Sequence, residues 1–277
     1  MTLSRLNKTL LPVVAACALL GMHAPAKAQG FAALVSPPRF EASARAGTTY
    51  RDVVEINNVS GESAHFSVAT ADWTLKPDGS VDFSDGLAPN SCRPWVGLEA
   101  ADITLAPAGK RRYRFEVAVP ADAPTGECRF AIMISGDPQA AKGSVAVPVA
   151  GRIGVIVYLA TGDAMPKLEI VERGVKKVEG RVLPVVRVRN NGNAHGRVTG
   201  LIDGTDATGR HAIFEPANLP ILPGETRDVA LTPRADDDQS APPKLTYPVH
   251  LKGRLESGKE RMDIDESFVD IDSTFAK

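Results

Sequence analysis

Glycine and proline recur along this 277-residue chain, which holds 24 glycines and 21 prolines. Both residues interrupt helices and mark turns. Between them, short runs alternate apolar and polar residues, most clearly at residues 112–119, where aromatic and valine side chains alternate with charged ones. Alternation with a period of two predicts strands with one buried face. Many short strands separated by turns predict an all-β fold of the sandwich type.

The longest run with strand character covers residues 144–158 and contains one charge, Arg152. Within it, Val145, Val147 and Val149 alternate with smaller residues or proline, which predicts a strand with one apolar face. Two structures are compatible with this pattern. The run is either a core strand with neighbours on both sides or an edge strand that offers its apolar face to another chain. The two alternatives lead to different functions.

The first 28 residues have the features of a secretory signal: a basic start, an apolar stretch and a small-residue cleavage site that ends at Ala28. We therefore predict export, with cleavage after Ala28. Lipidation at Cys17 is the second alternative, because small residues precede it. The apolar stretch continues past Cys17, which favours ordinary cleavage. No later segment approaches the ~20 continuous apolar residues of a transmembrane helix, so no membrane span is predicted.

Charge and cysteine content narrow the function further. The signal contains three of the 32 basic residues and no acidic ones, which leaves 29 basic against 33 acidic residues. This balance argues against a nucleic-acid-binding protein, which needs a basic face. Two cysteines remain after cleavage, Cys92 and Cys128. In an exported protein an even pair predicts one disulfide bond.

The sequence lacks motifs for catalysis or metal binding. It contains no glycine-rich phosphate loop, no Gly-x-Ser-x-Gly turn and no Cys-x-x-Cys pair. The acidic run at 236–238 lacks the spacing of a calcium loop. We predict a protein that is not an enzyme and needs no metal or cofactor, and a hydrolase with an unrecognised site is the weakest alternative. The histidines of the mature chain have no metal-ligand neighbours at helical or hairpin spacing; they are His65, His195, His211 and His250.

The two halves of the chain repeat one plan. A strand that ends in asparagines 57 and 58 resembles one that ends in asparagines 190 and 191, and a turn rich in proline and glycine follows later in each half. A short linker with glycine and proline separates the halves. We predict two tandem immunoglobulin-like sandwiches, at residues 29–161 and 165–277. The second includes a strand predicted at 197–202.

A series of short motifs follows a fixed order over about 130 residues of the first half. The motifs are Val-Ser-Pro-Pro-Arg at 35–39, Val-Val-Glu-Ile-Asn-Asn at 53–58, Ala-Asp-Trp-Thr at 71–74, Pro-Trp-Val at 94–96, Arg-Tyr-Arg-Phe at 112–115 and Gly-Glu-Cys-Arg at 126–129. In this order and spacing, the first half resembles the N-terminal domain of the PapD-like periplasmic chaperones, which assemble pili together with outer-membrane ushers.

The resemblance implies a periplasmic chaperone that binds and caps pilin-like subunits by donor-strand complementation and delivers them to an outer-membrane usher. In that family the last strand of the first domain lends alternating apolar side chains to an incomplete subunit. This implies that Val145, Val147 and Val149 are the donated face. Two basic residues in the cleft between the domains hold the terminal carboxylate of the subunit. Arg39 matches the first of them, and Arg152 stands in place of the second, which is usually lysine.

Several departures make the chain a divergent example. Pro148 interrupts the donor segment and removes one main-chain donor, which a strand tolerates where that position faces away from a neighbouring strand. The second half lacks the family's usual Asn-Pro-Thr-Pro-Tyr-like stretch. The alternative function is an exported structural or adhesive module, in which residues 145–149 form a paired core strand. An exposed edge would also allow self-association.

Overall fold

The computed structural model describes residues 32–88, 91–140, 148–235 and 242–270. Within these ranges the chain is all-β and has no α-helix, only a 3-10 turn at Arg93–Trp95. The strands of the first half are β1 (Ala33–Ser36), β2 (Arg39–Ala44), β3 (Thr49–Asn58), β4 (Ala64–Leu75), β5 (Val81–Ser84), β6 (Val96–Leu98), β7 (Asp102–Leu105), β8 (Lys110–Ala118), β9 (Gly126–Gly136), β10 (Gln139–Ala140), β11 (Pro148–Val149) and β12 (Arg152–Thr161). Those of the second half are β13 (Leu168–Val178), β14 (Arg181–Asn190), β15 (Gly196–Arg197), β16 (Ile202–Thr205), β17 (His211–Pro216), β18 (Pro220–Ile221), β19 (Thr226–Pro233), β20 (Val249–Ser257) and β21 (Glu260–Phe268).

The first half is a sandwich of two sheets. One sheet has the order β1-β3-β8-β6, and the other has the order β2-β12-β9-β4-β5, with β7 paired to β4. β10 and β11 form a separate two-stranded ladder. The alternation at residues 112–119 is confirmed, because Tyr113, Phe115 and Val117 are buried while Arg112 and Arg114 are not. Cys92 and Cys128 form the expected disulfide, with Cα atoms 5.8 Å apart.

The second half is also a sandwich, formed by a sheet of order β13-β14-β19-β17-β16-β20-β21 that folds over itself. The sheet bends over at β19, which pairs with β14 up to Ala230 and with β17 from Leu231. The prediction of one continuous strand at 197–202 is wrong. β15 pairs with β18, and β16 begins only at Ile202. Gly200 lies between them at φ 128°, a conformation that a glycine adopts readily and that interrupts an extended run.

The architecture of two tandem immunoglobulin-like sandwiches is confirmed. β12 ends at Thr161 and β13 begins at Leu168, and the predicted boundaries at 29–161 and 165–277 stay predictions. The signal with Ala28, the acidic run at 236–238, and the donor residues Val145 and Val147 lie outside the described residues. In the part of the chain that the structure describes, no helix is long and apolar enough to cross a membrane.

Candidate functional site

The strand β12 has an open edge over its first four residues. Along its whole length it pairs with β9, from Arg152 opposite Ser135 to Thr161 opposite Gly126. On its other side, β2 pairs in parallel only from Ile156 onwards. Residues 152–155 therefore have no neighbouring strand on this side among the described residues.

The main-chain groups at this edge have a defined direction. The N–H of Ile156 points to the β2 side, because it donates to the carbonyl oxygen of Pro38 at 3.3 Å. Main-chain groups alternate between the two sides of a strand. The N–H and C=O groups of Arg152 and Gly154 therefore point to the open edge. A row of unpaired groups of this kind readily pairs with a strand from another chain.

Arg39 and Arg152 lie on the same outer face of this sheet. Phe40 and Val155 are buried in the core. Side chains alternate between the two faces of a strand, so Arg39, one residue before Phe40, and Arg152, three residues before Val155, face outward. Arg39 stands opposite Ile156, which puts the two arginines four residues apart along β12, or about 13 Å. Their side chains are half exposed, at 52% and 45%. The fold thus brings both predicted basic residues to the outer face of this sheet, but not side by side.

Each of these guanidinium groups already pairs with a carboxylate of the same chain. Arg39 Nε lies 2.9 Å from Glu41 Oε1. Arg152 Nη2 lies 3.0 Å from Asp85 Oδ1. A carboxylate from a partner would therefore meet arginines that have internal partners.

The segment that carries Asp85 folds over the outer face of the sheet. The guanidinium of Arg93 donates to the main-chain oxygens of Asp85 and Gly86, at 3.1 and 3.2 Å. Phe83 of β5 packs directly on Gly154, where an added Cβ would lie 2.4 Å from the phenyl ring. The missing side chain of Gly154 permits this close approach.

Arg93 is itself held by a buried carboxylate. Its Nη1 lies 3.3 Å from Asp72 Oδ2, and the two side chains are 14% and 11% exposed. Asp72 also accepts hydrogen bonds from the Ala88 N–H and the Ser91 hydroxyl. Burial raises the pKa of Asp72, but these hydrogen bonds and the charge of Arg93 lower it by more, so the net shift of the pKa is downward. The ionised form is favoured, which keeps Arg93 and the segment it binds in place.

A cleft of about 320 Å³ lies between the outer face of β2 and β12 and the second domain. His195 of the second domain stacks on Tyr158, with ring centroids 3.8 Å apart. Its ring and its main-chain N–H both bond to Glu127 Oε2. Burial raises the pKa of Tyr158 to about 12, so this side chain is neutral at physiological pH. Glu41 faces the same cleft, 3.7 Å from His195 Nε2 and 3.5 Å from Arg197 Nε.

A second contact between the domains involves the turn of the β4–β5 hairpin. The side chain of Arg227 is only 4% exposed and donates to the main-chain oxygens of Lys76 and Pro77, at 3.0 and 3.1 Å. Leu219 packs against Gly79 in the same turn. The hairpin therefore touches the second domain at its turn, and its continuation reaches Arg152 through Asp85.

The donor segment is only partly within the described residues. Val149 pairs with Gln139 and Pro148 with Ala140 in the β10–β11 ladder. This pairing covers one side of β11. It is compatible with both alternatives, a paired core strand and a strand donated to a subunit. The roles predicted for Val145, Val147 and Val149 stay predictions.

Sequence reasoning missed the pairing of Asp85 with Arg152 and of Glu127 with His195. Asp85 is 67 residues from Arg152 and Glu127 is 68 residues from His195, so no local pattern links the partners. The sequence did contain one signal, Gly154 within the apolar run at 144–158. A glycine within an apolar strand indicates a close approach by another element. Among the described residues, no group of three or more His, Cys, Asp or Glu side chains is arranged to hold a metal ion.

No protein-family model matches the chain, and no curated protein matches it. The chain is similar in fold to solved fimbrial chaperones. Salmonella enterica SafB, solved in complex with the SafA pilin, has a TM-score of 0.45 and 12% identity, over 86% of this chain and 98% of that one. The Pseudomonas aeruginosa CupB2 chaperone has a TM-score of 0.39 and 15% identity, over 86% and 98%.

A third similar structure is the Acinetobacter baumannii CsuC–CsuE chaperone–tip subunit complex, with a TM-score of 0.43 and 12% identity over 84% of this chain and 97% of that one. The resemblance expected from the sequence is confirmed as a likeness to such chaperones at low identity.

Proposed function

We propose that this protein is a periplasmic chaperone that binds a pilin-like subunit along the open edge of β12, caps it, and delivers it to an outer-membrane usher. The observation that carries the proposal is the position of this edge. It lies directly in line with β2, which begins at Arg39. No catalytic step, metal or cofactor is part of the proposal.

The geometry favours a subunit strand that runs in the same direction as β12. β2 already pairs in parallel with β12, and an added strand would lie along the same line before β2 begins. It would bond to the main-chain groups of Arg152 and Gly154, as in β-augmentation. Its C-terminal carboxylate would lie between the positions of Arg152 and Arg39, on the face that carries both side chains. Charge-assisted hydrogen bonds from the two guanidinium groups would then hold the terminal carboxylate.

The donor face follows from the alternation along the chain. In the sequence, Val145, Val147 and Val149 alternate with Ala146 and Pro148, so they would share one side of an extended strand. These residues would fill the gap in a subunit that lacks a strand of its own sandwich.

Co-expression with a pilin-like subunit tests the proposal. We expect the native protein to keep the subunit soluble and the double variant Arg39→Gln, Arg152→Gln to lose about ten-fold or more of the soluble complex, because hydrogen bonds to charged groups contribute about 1.5–3 kcal/mol each. Arg51→Gln is the matched control, since Arg51 is 70% exposed and pairs with Glu116 on the other sheet.

Equal recovery of the subunit with the double variant would show that the arginines do not anchor it. A subunit that is equally soluble without this protein would favour the alternative, an exported structural or adhesive module.

A further inference from the structure

We infer that Asp85 sets the affinity of the carboxylate site: it holds Arg152 in the free protein and is displaced by the terminal carboxylate of a bound strand. This inference rests on the proposed function. In this role, Asp85 competes with the terminal carboxylate of the partner strand for the guanidinium group of Arg152.

The contact between Asp85 and Arg152 is of a kind that another carboxylate can replace. Arg152 Nη2 and Asp85 Oδ1 are 3.0 Å apart, and the side chains are 45% and 77% exposed. An ion pair this exposed contributes little free energy. Displacing it therefore weakens the binding of a partner only modestly, and the displaced Asp85 returns to water.

The main chain holds Asp85 at this place even though its side chain is exposed. Arg93 binds the main-chain oxygens of Asp85 and Gly86, and the buried Asp72 fixes Arg93. Phe83 packs on Gly154, two residues from Arg152 along β12. Asp85 is therefore present at Arg152 in the free protein, and any carboxylate that binds Arg152 must first displace it.

The surroundings of Arg39 differ from those of Arg152. Its acidic partner, Glu41, lies 2.9 Å from Arg39 but also faces His195 and Arg197 across the cleft, at 3.7 and 3.5 Å. The charge of Glu41 is shared among these groups, so Arg39 is less fully neutralised. A terminal carboxylate would engage Arg39 directly and would reach Arg152 by displacing Asp85. Pairing of the strand with the edge supplies the local concentration for that exchange.

The test uses the full mature protein and a fluorescent peptide of about ten residues, the length of a strand. The peptide alternates valine and threonine, and it is compared with its C-terminally amidated twin. We expect Asp85→Asn to bind the free-acid peptide roughly two- to five-fold more tightly than the native protein does. We expect no change for the amidated peptide. In an Arg152→Gln background, Asp85→Asn should have no effect.

The control variant is Asp82→Asn. Asp82 lies on the same hairpin and forms an exposed ion pair with Lys76 at 2.9 Å, so its substitution removes the same charge away from Arg152. It should leave both affinities unchanged. Unchanged free-acid binding by Asp85→Asn, or an equal gain for both peptides, would overturn the inference. Binding that is insensitive to both amidation and Arg39→Gln would instead overturn the proposed carboxylate site, and the inference with it.

Discussion

Two asparagines occupy equivalent positions in the two domains. Asn58 is 1% exposed and donates through Nδ2 to the carbonyl oxygens of Glu62, Leu105 and Ala106. Asn190 is fully buried and donates to those of Ala194 and Ile221. In both domains one amide side chain ties the end of a strand to a distant turn. Such a bond also satisfies main-chain oxygens that would otherwise be buried without a partner.

Substitution of Asn190 by alanine should destabilise the protein strongly. The change leaves buried main-chain groups without a hydrogen-bond partner, and we expect the free energy of unfolding to fall by about 2–4 kcal/mol. Urea denaturation measures this value. The neighbouring Asn191 is exposed, and Asn191→Ala should change the same quantity by less than about 0.5 kcal/mol. Similar losses for the two variants would contradict the structural role of Asn190.

The β4–β5 hairpin and the segment after it are the elements that shape the outer face of the first domain. Phe83 lies on Gly154 of β12, and Met133 lies beside the same glycine, with Sδ 3.1 Å from the position of an added Cβ. The turn of the hairpin contacts Arg227 of the second domain. The hairpin therefore connects the strand that has the open edge to the position of the second domain.

Gly154→Ala should push Phe83 away from β12. The added methyl group overlaps the phenyl ring, and we expect a loss of about 1–3 kcal/mol in the free energy of unfolding. In a Phe83→Ala background the same change at Gly154 should cost much less, because the obstructing ring is gone. A double-mutant cycle by urea denaturation measures this coupling. Strictly additive losses would show that the two residues do not interact.

At the scale of the whole molecule, contacts at two places join the domains. The first is the cleft, where Glu127 pairs with His195, whose side chains are 3% and 10% exposed, and where Glu41 lies 3.5 Å from Arg197 Nε. The second is Arg227 with the main-chain oxygens of the β4–β5 turn. Both join residues of different domains, so neither forms until each domain is folded.

His195→Ala should loosen the arrangement of the domains. It removes the imidazole partner of the buried Glu127 carboxylate, which keeps the main-chain N–H of residue 195 and Arg129 Nε at 3.8 Å, and we expect a cost of about 1–3 kcal/mol while the cleft stays closed. Opening of the cleft lets water reach Glu127, so we expect a larger radius of gyration in small-angle X-ray scattering. His211→Ala is the control, since His211 is exposed in the second domain and should leave the radius unchanged. A native radius for His195→Ala would mean that the remaining contacts between the domains, those of Arg227 and Arg197 among them, are enough to fix their arrangement.

The sequence by itself determined the fold class and much of the core. The alternation at residues 112–119 marked the buried face of β8, and the two cysteines that follow the predicted signal form the disulfide. The repeated asparagines marked equivalent strand ends. These features depend on local periodicity or on a small number of possible partners, so they can be read along the chain. The strand predicted at 197–202 failed because Gly200 turns the chain within it.

Only the tertiary structure decided where β12 is open and which acids face its arginines. The open edge exists because β2 begins at Arg39, opposite the middle of β12 rather than its start. Asp85 reaches Arg152, and Glu127 reaches His195, across more than sixty residues of sequence. Charged side chains carry no periodic signal for a distant partner. Their pairing follows from how the sheets, the hairpin and the two domains pack, and it forms only when that packing is complete.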